Sequence, residues 1–289
     1  MSAPTLERVG SPVPPGYVPR RPSVVARFFR WIREHVIAIL AILALLYLFA
    51  PIAIVVIFSF NKPIGRQNVS WNEFSLDAWR NICRDPTICD SVGVSLQVAV
   101  ISTIIATLLG TLIAFALVRH RFRGRTATNL LIFLPMATPE VVLGASLLAL
   151  FLNLNADLGF PTIVVAHIMF CISFVVVTVK ARLAGLDPRL EQAAADLYAD
   201  ERATFRYITL PLVLPGIVSA GLLAFSLSFD DFIITNFNNG TTVTFPLYVW
   251  GAAQRGIPPQ VNVIGSLMFF GALAIVVIAQ IVGAARRKK

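Results

Sequence analysis

Charge is scarce in this chain. Asp, Glu, Lys and Arg make up 13% of its 289 residues, about half the share usual for a soluble domain. Histidine and cysteine are scarcer still, three of each. Cys83 and Cys89 have no histidine or second cysteine pair near them, and Cys171, His35, His120 and His167 stand apart, so no metal-ligand cluster is expected. The phosphate-cradling G-x-x-x-x-G-K-S/T loop is missing, and so are G-x-S-x-G and H-E-x-x-H. The chain is therefore not expected to hold ATP by that loop or to act as an enzyme. No internal repeat is visible. No basic stripe with interleaved aromatics lies outside the membrane flanks, which argues against a nucleic-acid partner.

What the chain does have is apolar residues, 57% of the total, gathered into long uncharged runs. This predicts an all-α polytopic membrane protein with six transmembrane helices. The expected spans are Val36 to Phe60, Ser91 to Val118, Thr126 to Phe151 (interrupted by Pro135, Pro139 and Glu140), Leu158 to Val179, Tyr207 to Asn236, and Val261 to Ala285. Each is long enough for roughly 30 Å of hydrocarbon; strands of a barrel would be shorter and alternating. The domain reading is a tail over residues 1–35, a six-helix transmembrane body over 36–285 and a basic end over 286–289. Of the 24 Lys and Arg residues, 19 fall in the tail, the 119–125 loop, the 180–206 segment and the C-terminus, against 5 on the other side. That bias predicts cytoplasmic termini and explains the net charge of +9 as topology plus affinity for anionic lipid.

Residues 1–21 are rich in Pro, Ser and Gly and are expected to be disordered. Phe28, Phe29, Trp31 and Ile32, interleaved with arginines, suggest an interfacial lead-in. The first apolar run starts too late and is too long for a cleaved signal peptide. Between spans one and two, Trp71, Phe74, Leu76 and Trp79 suffice for a small packed cap. Cys83 and Cys89 lie in that cap, either as a disulfide or as two free thiols. Leu247, Tyr248, Trp250 and Gly251 fit a short re-entrant or interfacial helix.

Two features stand out as chemistry. The first is acid inside apolar spans: Glu140, Asp230 and Asp231, with no basic residue in the same spans. A carboxylate at the bilayer centre costs about 2.5–3.5 kcal/mol unless it faces a cavity or a partner. Phe225, Phe229 and Phe232 flank the aspartates, and aromatic faces favour ammonium groups. The acids and Phe229 and Phe232 therefore read as the path of a cation, or else as caps on broken helix ends. The second feature is Leu190 to Gly216, polar and bearing both charges between two apolar runs. Leu190, Ala193, Ala194 and Leu197 share a helix face behind Asp187 and Pro188, which suit a helix start. So short a helix lies on a surface or against another protein.

That stretch carries a resemblance. Gln192-Ala193-Ala194, three residues, Tyr198, nine residues, then Ile208-Thr209-Leu210-Pro211 is similar in spacing to the E-A-A…G…I-x-L-P signature of membrane subunits of ATP-binding-cassette importers. Gln192 replaces the glutamate, which Glu191 stands beside, and Tyr198 replaces the glycine. Without the glycine, the turn is expected to do without positive φ at that position. Ser228 to Phe232, Leu134 to Leu148 and Pro246 to Asn262 further resemble the second permease subunit of spermidine/putrescine importers. The resemblance implies a type I importer permease fold, with residues 186–210 as the coupling segment. Glu191, Gln192, Ala193, Ala194, Asp196, Leu197 and Tyr198 would then meet a dimer of ATP-binding subunits, which holds the ATP and Mg; no cofactor is expected in this chain. It also implies a second permease subunit, an extracytoplasmic solute-binding protein and a polyamine cargo. Iron, phosphonate and opine importers have related permeases, and an ion-coupled carrier would also hold intramembrane acids.

Overall fold

The computed structural model describes residues 24–65 and 67–287. The chain divides into two units, up to Ile54 and from Val55 onward. In the first unit α1 (Val24–Phe58) begins, and it continues through the expected first span. The tail expected to be disordered lies outside the described residues, as do Lys288 and Lys289.

The second unit is built from α2 (Asp77–Arg80), α3 (Pro86–Arg119), α4 (Arg125–Ala137), α5 (Glu140–Asn153), α6 (Phe160–Ala184), α7 (Arg189–Asp196), α8 (Glu201–Thr204), a π-helical turn (Phe205–Thr209), α9 (Leu210–Asp230), α10 (Ile233–Asn238), α11 (Phe245–Arg255) and α12 (Pro259–Arg287). Among the described residues there is no strand, only one isolated bridge between Asn61 and Phe74. Among the described residues, five helices are long and apolar enough to cross a membrane, and α4 with α5 makes a sixth if the pair counts as one span. The expected third span is thus corrected: it is two helices bent by 108° at Thr138-Pro139. Proline removes a backbone donor and restricts the residue before it, so the helix ends there. The expected fifth span is also corrected. Its helix stops at Asp230, and the chain restarts as α10.

The core is a bundle of α3, α6 and α9. Ser91, Ser95, Ala99, Ser102, Ala106, Gly110 and Ala114 form a buried stripe of small residues down α3. Small residues at this spacing let helix backbones approach closely where no hydrophobic drive exists between helices in lipid. Contacts of Val98 with Ile163 and of Gly110 with Val175 set α6 parallel to α3. Ser102 against Ser228 and Phe115 against Phe205 set α9 antiparallel. The polar ends are stapled as well: Arg182 Nε donates to the Leu212 carbonyl at 3.1 Å, and Lys180 Nζ donates to Asn129 Oδ1 at 2.6 Å. The α11 helix lies along the first part of α3, with Phe245 N donating to Ser95 Oγ at 2.9 Å and Tyr248 Oη donating to Asp85 Oδ2 at 3.1 Å.

The cap before α3 differs in its core from the expectation. Trp71, Phe74 and Leu76 are exposed, whereas Asn61 and Asn68 are buried. Asn61 Nδ2 donates to Asn68 Oδ1 at 2.6 Å, and Asn68 Nδ2 to the Phe58 carbonyl at 2.8 Å. Phe60 stacks on Trp79 and Phe74. Cys83 and Cys89 are joined in a disulfide, with Cα atoms 5.5 Å apart, which ties the segment before α3 to the first turn of that helix. There Asp85 caps the helix, accepting from Thr87 N at 3.0 Å ahead of Pro86.

A side chain at Gly110 would place Cβ 2.7 Å from Val175 Cγ1, whereas Gly93 on the same helix has open space around it. Gly110→Val is expected to cost about 1–3 kcal/mol through overpacking, and Gly93→Val far less. Thermal unfolding of the two variants in detergent measures the difference; equal midpoints would refute close α3–α6 packing.

Candidate functional site

The break after α9 organises the centre of the bundle. Hydrocarbon offers helix ends no hydrogen bonds, so side chains must supply them. Asp231, only 8% exposed, turns inward and caps α10: Oδ2 accepts from Thr235 N at 2.8 Å and from Thr235 Oγ1 at 2.9 Å. His167 of α6 stands beside it, with Nε2 3.3 Å from Asp231 Oδ2 and 2.9 Å from Thr235 Oγ1. The other ring nitrogen, Nδ1, is 2.7 Å from Ser228 Oγ, which is 2.8 Å from Ser102 Oγ. One buried chain of polar groups therefore joins α3, α6, α9 and α10.

This corrects the picture of unpaired acids. The partner of Asp231 comes from a different span, so a search for bases within the same span missed it. His167, which stands apart in the sequence, sits at the middle of this network. A serine, a histidine and an aspartate in contact are the parts of a nucleophilic relay. Here His167, Ser228 and Asp231 are all buried, so the relay faces no substrate.

Pinning Asp231 inward leaves its neighbour outward. Asp230, the last residue of α9, is exposed. It lines a cleft of about 390 Å³ with Phe229, Phe232, Phe245, Pro246, Val249, Trp250 and Ala253. Phe232 and Trp250 have ring centroids 5.1 Å apart, and Phe225 stacks on Phe229 at 6.0 Å. The cleft thus contains one carboxylate, four aromatic rings and no base. The negative end of the α9 dipole adds to its preference for a cation. Phe245 and Trp250 arrive from α11, whose short helical character was legible in the sequence although its position against α9 was not.

Glu140 lies elsewhere. It opens α5, is exposed, and does not line this cleft. A carboxylate in a first helical turn is favoured by the helix dipole, a structural reason for an acid there. A larger cleft of about 1140 Å³ runs between the cap and α11. Its acids Asp77 and Asp85 are offset by Lys62, Arg84 and Arg255, so it has no bias toward a cation.

At the other end of α3 lies α7. Asp187 Oδ1 accepts from Arg189 N at 2.9 Å and starts the helix as its sequence suggests. Gln192, Ala193, Asp196, Leu197 and Tyr198 are exposed, but Ala194 is buried and Glu191 half-buried. Glu191 and Ala194 therefore face this chain rather than the open surface. Both oxygens of Glu191 take the guanidinium fork of Arg119, at the end of α3, and Oε1 also accepts from Thr209 Oγ1 at 2.7 Å. The Arg119 hydrogen bonds, helped by Thr209, hold the Glu191 carboxyl below its ordinary range despite partial burial. The expectation about Tyr198 is overturned: it adopts φ +60° without being glycine, and its side chain is 98% exposed. A bulky residue there costs roughly 1–2 kcal/mol, and the turn adopts the conformation nonetheless.

Residues 97–287 match the family of binding-protein-dependent transport system inner membrane components. The chain is 38% identical over 237 residues to the spermidine/putrescine transport system permease protein PotC of Haemophilus influenzae, covering 82% of this chain and 91% of that one. It is 36% identical over 243 residues to PotC of Escherichia coli K12, covering 84% and 91%. To the putrescine transport system permease protein PotI of the same strain it is 37% identical over 246 residues, covering 82% and 86%. Among solved structures, a bacterial ABC transporter that imports the acidic polysaccharide alginate matches with TM-score 0.60 at 16% identity, covering 91% of this chain and 98% of that one. The MetNI methionine transporter in an inward-facing conformation matches with TM-score 0.56 at 14% identity, covering 69% and 98%. The long apolar helices, the broken third span and the exposed α7 thus sit in a known architecture, and the chain belongs to the family of binding-protein-dependent transport system inner membrane components, as a polytopic permease without enzymatic chemistry of its own.

Proposed function

We propose that this permease lies in the bacterial inner membrane with both termini in the cytoplasm and forms, with a second permease, the path of an imported polyamine. The observation that carries the cargo is the Asp230 cleft, a lone carboxylate ringed by Phe229, Phe232, Phe245 and Trp250 at a helix C-terminus. Such a lining suits a flexible di- or polyammonium chain and repels an anion such as a phosphonate. The polyamine permeases among the relatives support the same cargo. A solute-binding protein delivers it on the side of the disulfide-linked cap, where an oxidising compartment keeps Cys83 and Cys89 paired.

On the opposite side α7 docks on an ATP-binding subunit, which supplies the energy. Gln192, Ala193, Asp196, Leu197 and Tyr198 form the contact surface. Tyr198 holds an unfavourable backbone conformation with its ring in solvent, the arrangement of a residue kept for a partner.

Four variants test this reading in cells or proteoliposomes carrying the complete transporter. Asp230→Asn should lower putrescine or spermidine uptake about tenfold, equivalent to 1.4 kcal/mol, whereas Glu140→Gln, outside the cleft, should not. Unchanged uptake by Asp230→Asn would remove the cargo site. His167→Ala removes the ring that joins Ser228 to Thr235 and Asp231, and should cost about 1–3 kcal/mol of stability by leaving buried polar groups unpaired. It should therefore reduce protein abundance and uptake in proportion, with uptake per folded molecule near normal. A loss of uptake at full abundance would instead place His167 in the path. Tyr198→Gly should relieve the turn and raise the chain's own melting temperature while weakening co-purification of the ATP-binding subunit; undiminished capture would exclude Tyr198 from the contact.

A further inference from the structure

The α7 helix is weakly attached to the rest of the chain by packing. It has eight residues, and among them only Ala194 is buried. A push on so short a helix would displace it without moving the membrane helices, unless something ties it to them. Among the described residues, the side-chain hydrogen bonds from α7 to the long helices all pass through Glu191. Its two oxygens bind the Arg119 fork at the last turn of α3, and Oε1 also takes the hydroxyl of buried Thr209. Thr209 closes the π-helical turn that leads into α9. Such a turn is a local widening of the helix, commonly found at functional positions.

The two helices gripped at this point are the ones that meet at the central network. Arg119 and Ser102 lie on α3, about 25 Å apart along its axis; Thr209 and Ser228 lie on the α9 limb, about 28 Å apart. One carboxylate therefore joins the near ends of the two helices that carry the hydroxyls of Ser102 and Ser228 at mid-height. A bidentate Arg–carboxylate pair transmits direction as well as force, because the two parallel bonds resist rotation.

We propose that Glu191, gripped by Arg119 and Thr209, is the positioning residue through which a displacement of α7 becomes a coordinated movement of α3 and α9. This rests on the reading that α7 is where the ATP-binding subunit docks. Glu191 thereby serves as an internal tie, distinct from the surface that Gln192, Leu197 and Tyr198 present.

The test uses proteoliposomes holding the full chain with its partner permease and ATP-binding subunits, and reads solute uptake per ATP hydrolysed. Arg119→Glu and Glu191→Arg alone should each lower that ratio about fivefold or more while the ATP-binding subunit still co-purifies. The double swap, Arg119→Glu with Glu191→Arg, restores the pair with reversed polarity and should return the ratio to within about twofold of the unaltered transporter. The ratio is independent of how much protein folds, and a purely structural role would not be rescued in it. Single variants with an unaltered ratio, or a double swap no better than the singles, would overturn the tie. Loss of the ATP-binding subunit from the single variants would overturn it too, by making Glu191 part of the docking surface. Failure of the unaltered chain to capture that subunit would show itself separately, as failure of the docking reading.

Discussion

A helix that breaks and restarts inside a bundle leaves carbonyls on one side of the break and amides on the other that hydrocarbon cannot satisfy, and at the start of α10 side chains meet that constraint. Asp231 meets it by turning inward to the amide and hydroxyl of Thr235, and His167 then stands against the buried carboxylate. Ser228 and Ser102 extend the arrangement to α9 and α3. Asp231 leaves the helix in extended backbone and is buried, whereas Asp230, still in the last turn, is exposed. The buried aspartate holds the break in place, and the exposed one lines the aromatic cleft.

The same constraint explains the packing around it. A polar network can be closed only if the backbones that carry it approach closely, and α3 allows this by presenting Ser, Ala and Gly along one face. Val175 fills the space that a side chain at Gly110 would need. Threonine hydroxyls at Thr103, Thr107 and Thr111 on the same helix are shielded, with no hydrogen-bond partner in the structure. Two of them, Thr103 and Thr107, lie beside Gly221 of α9. The α3 helix is thus a spine: it is capped by Asp85 beside the disulfide, holds Ser102 midway, and ends in the Arg119 fork.

Much of this was legible in the sequence. Length and uncharged character place four of the membrane helices within a few residues, because those properties are local. Pro135 and Pro139 announced an interruption, but the 108° bend follows from packing that no local rule contains. The spans mark Asp230 and Asp231 as unusual; which one is buried depends on His167, 64 residues earlier in the chain. The cap illustrates the opposite failure. Its aromatics suggested an apolar centre, yet Asn61 and Asn68 occupy it because short asparagine side chains can satisfy the backbone of an irregular loop. Tyr198 shows that losing a glycine need not lose its conformation; surrounding structure can impose φ +60° on another residue.

A transport path has to bind its solute and also release it, and the magnitudes in the Asp230 cleft fit that double demand. Aromatic faces contribute about 0.5–1 kcal/mol each to an exposed cation, and a single partly solvated carboxylate adds an amount of the same order. Binding of that strength selects for positive charge without trapping it, as conduction past successive sites requires. A second buried base or acid in the cleft would change this: a base would cancel the attraction, and a desolvated acid pair would hold the ammonium too tightly. The fold avoids both by spending its histidine and its other aspartate on each other, in the core. Under the proposed polyamine reading, selectivity at the cleft and integrity of the broken helix therefore depend on the same adjacent pair of aspartates facing opposite ways.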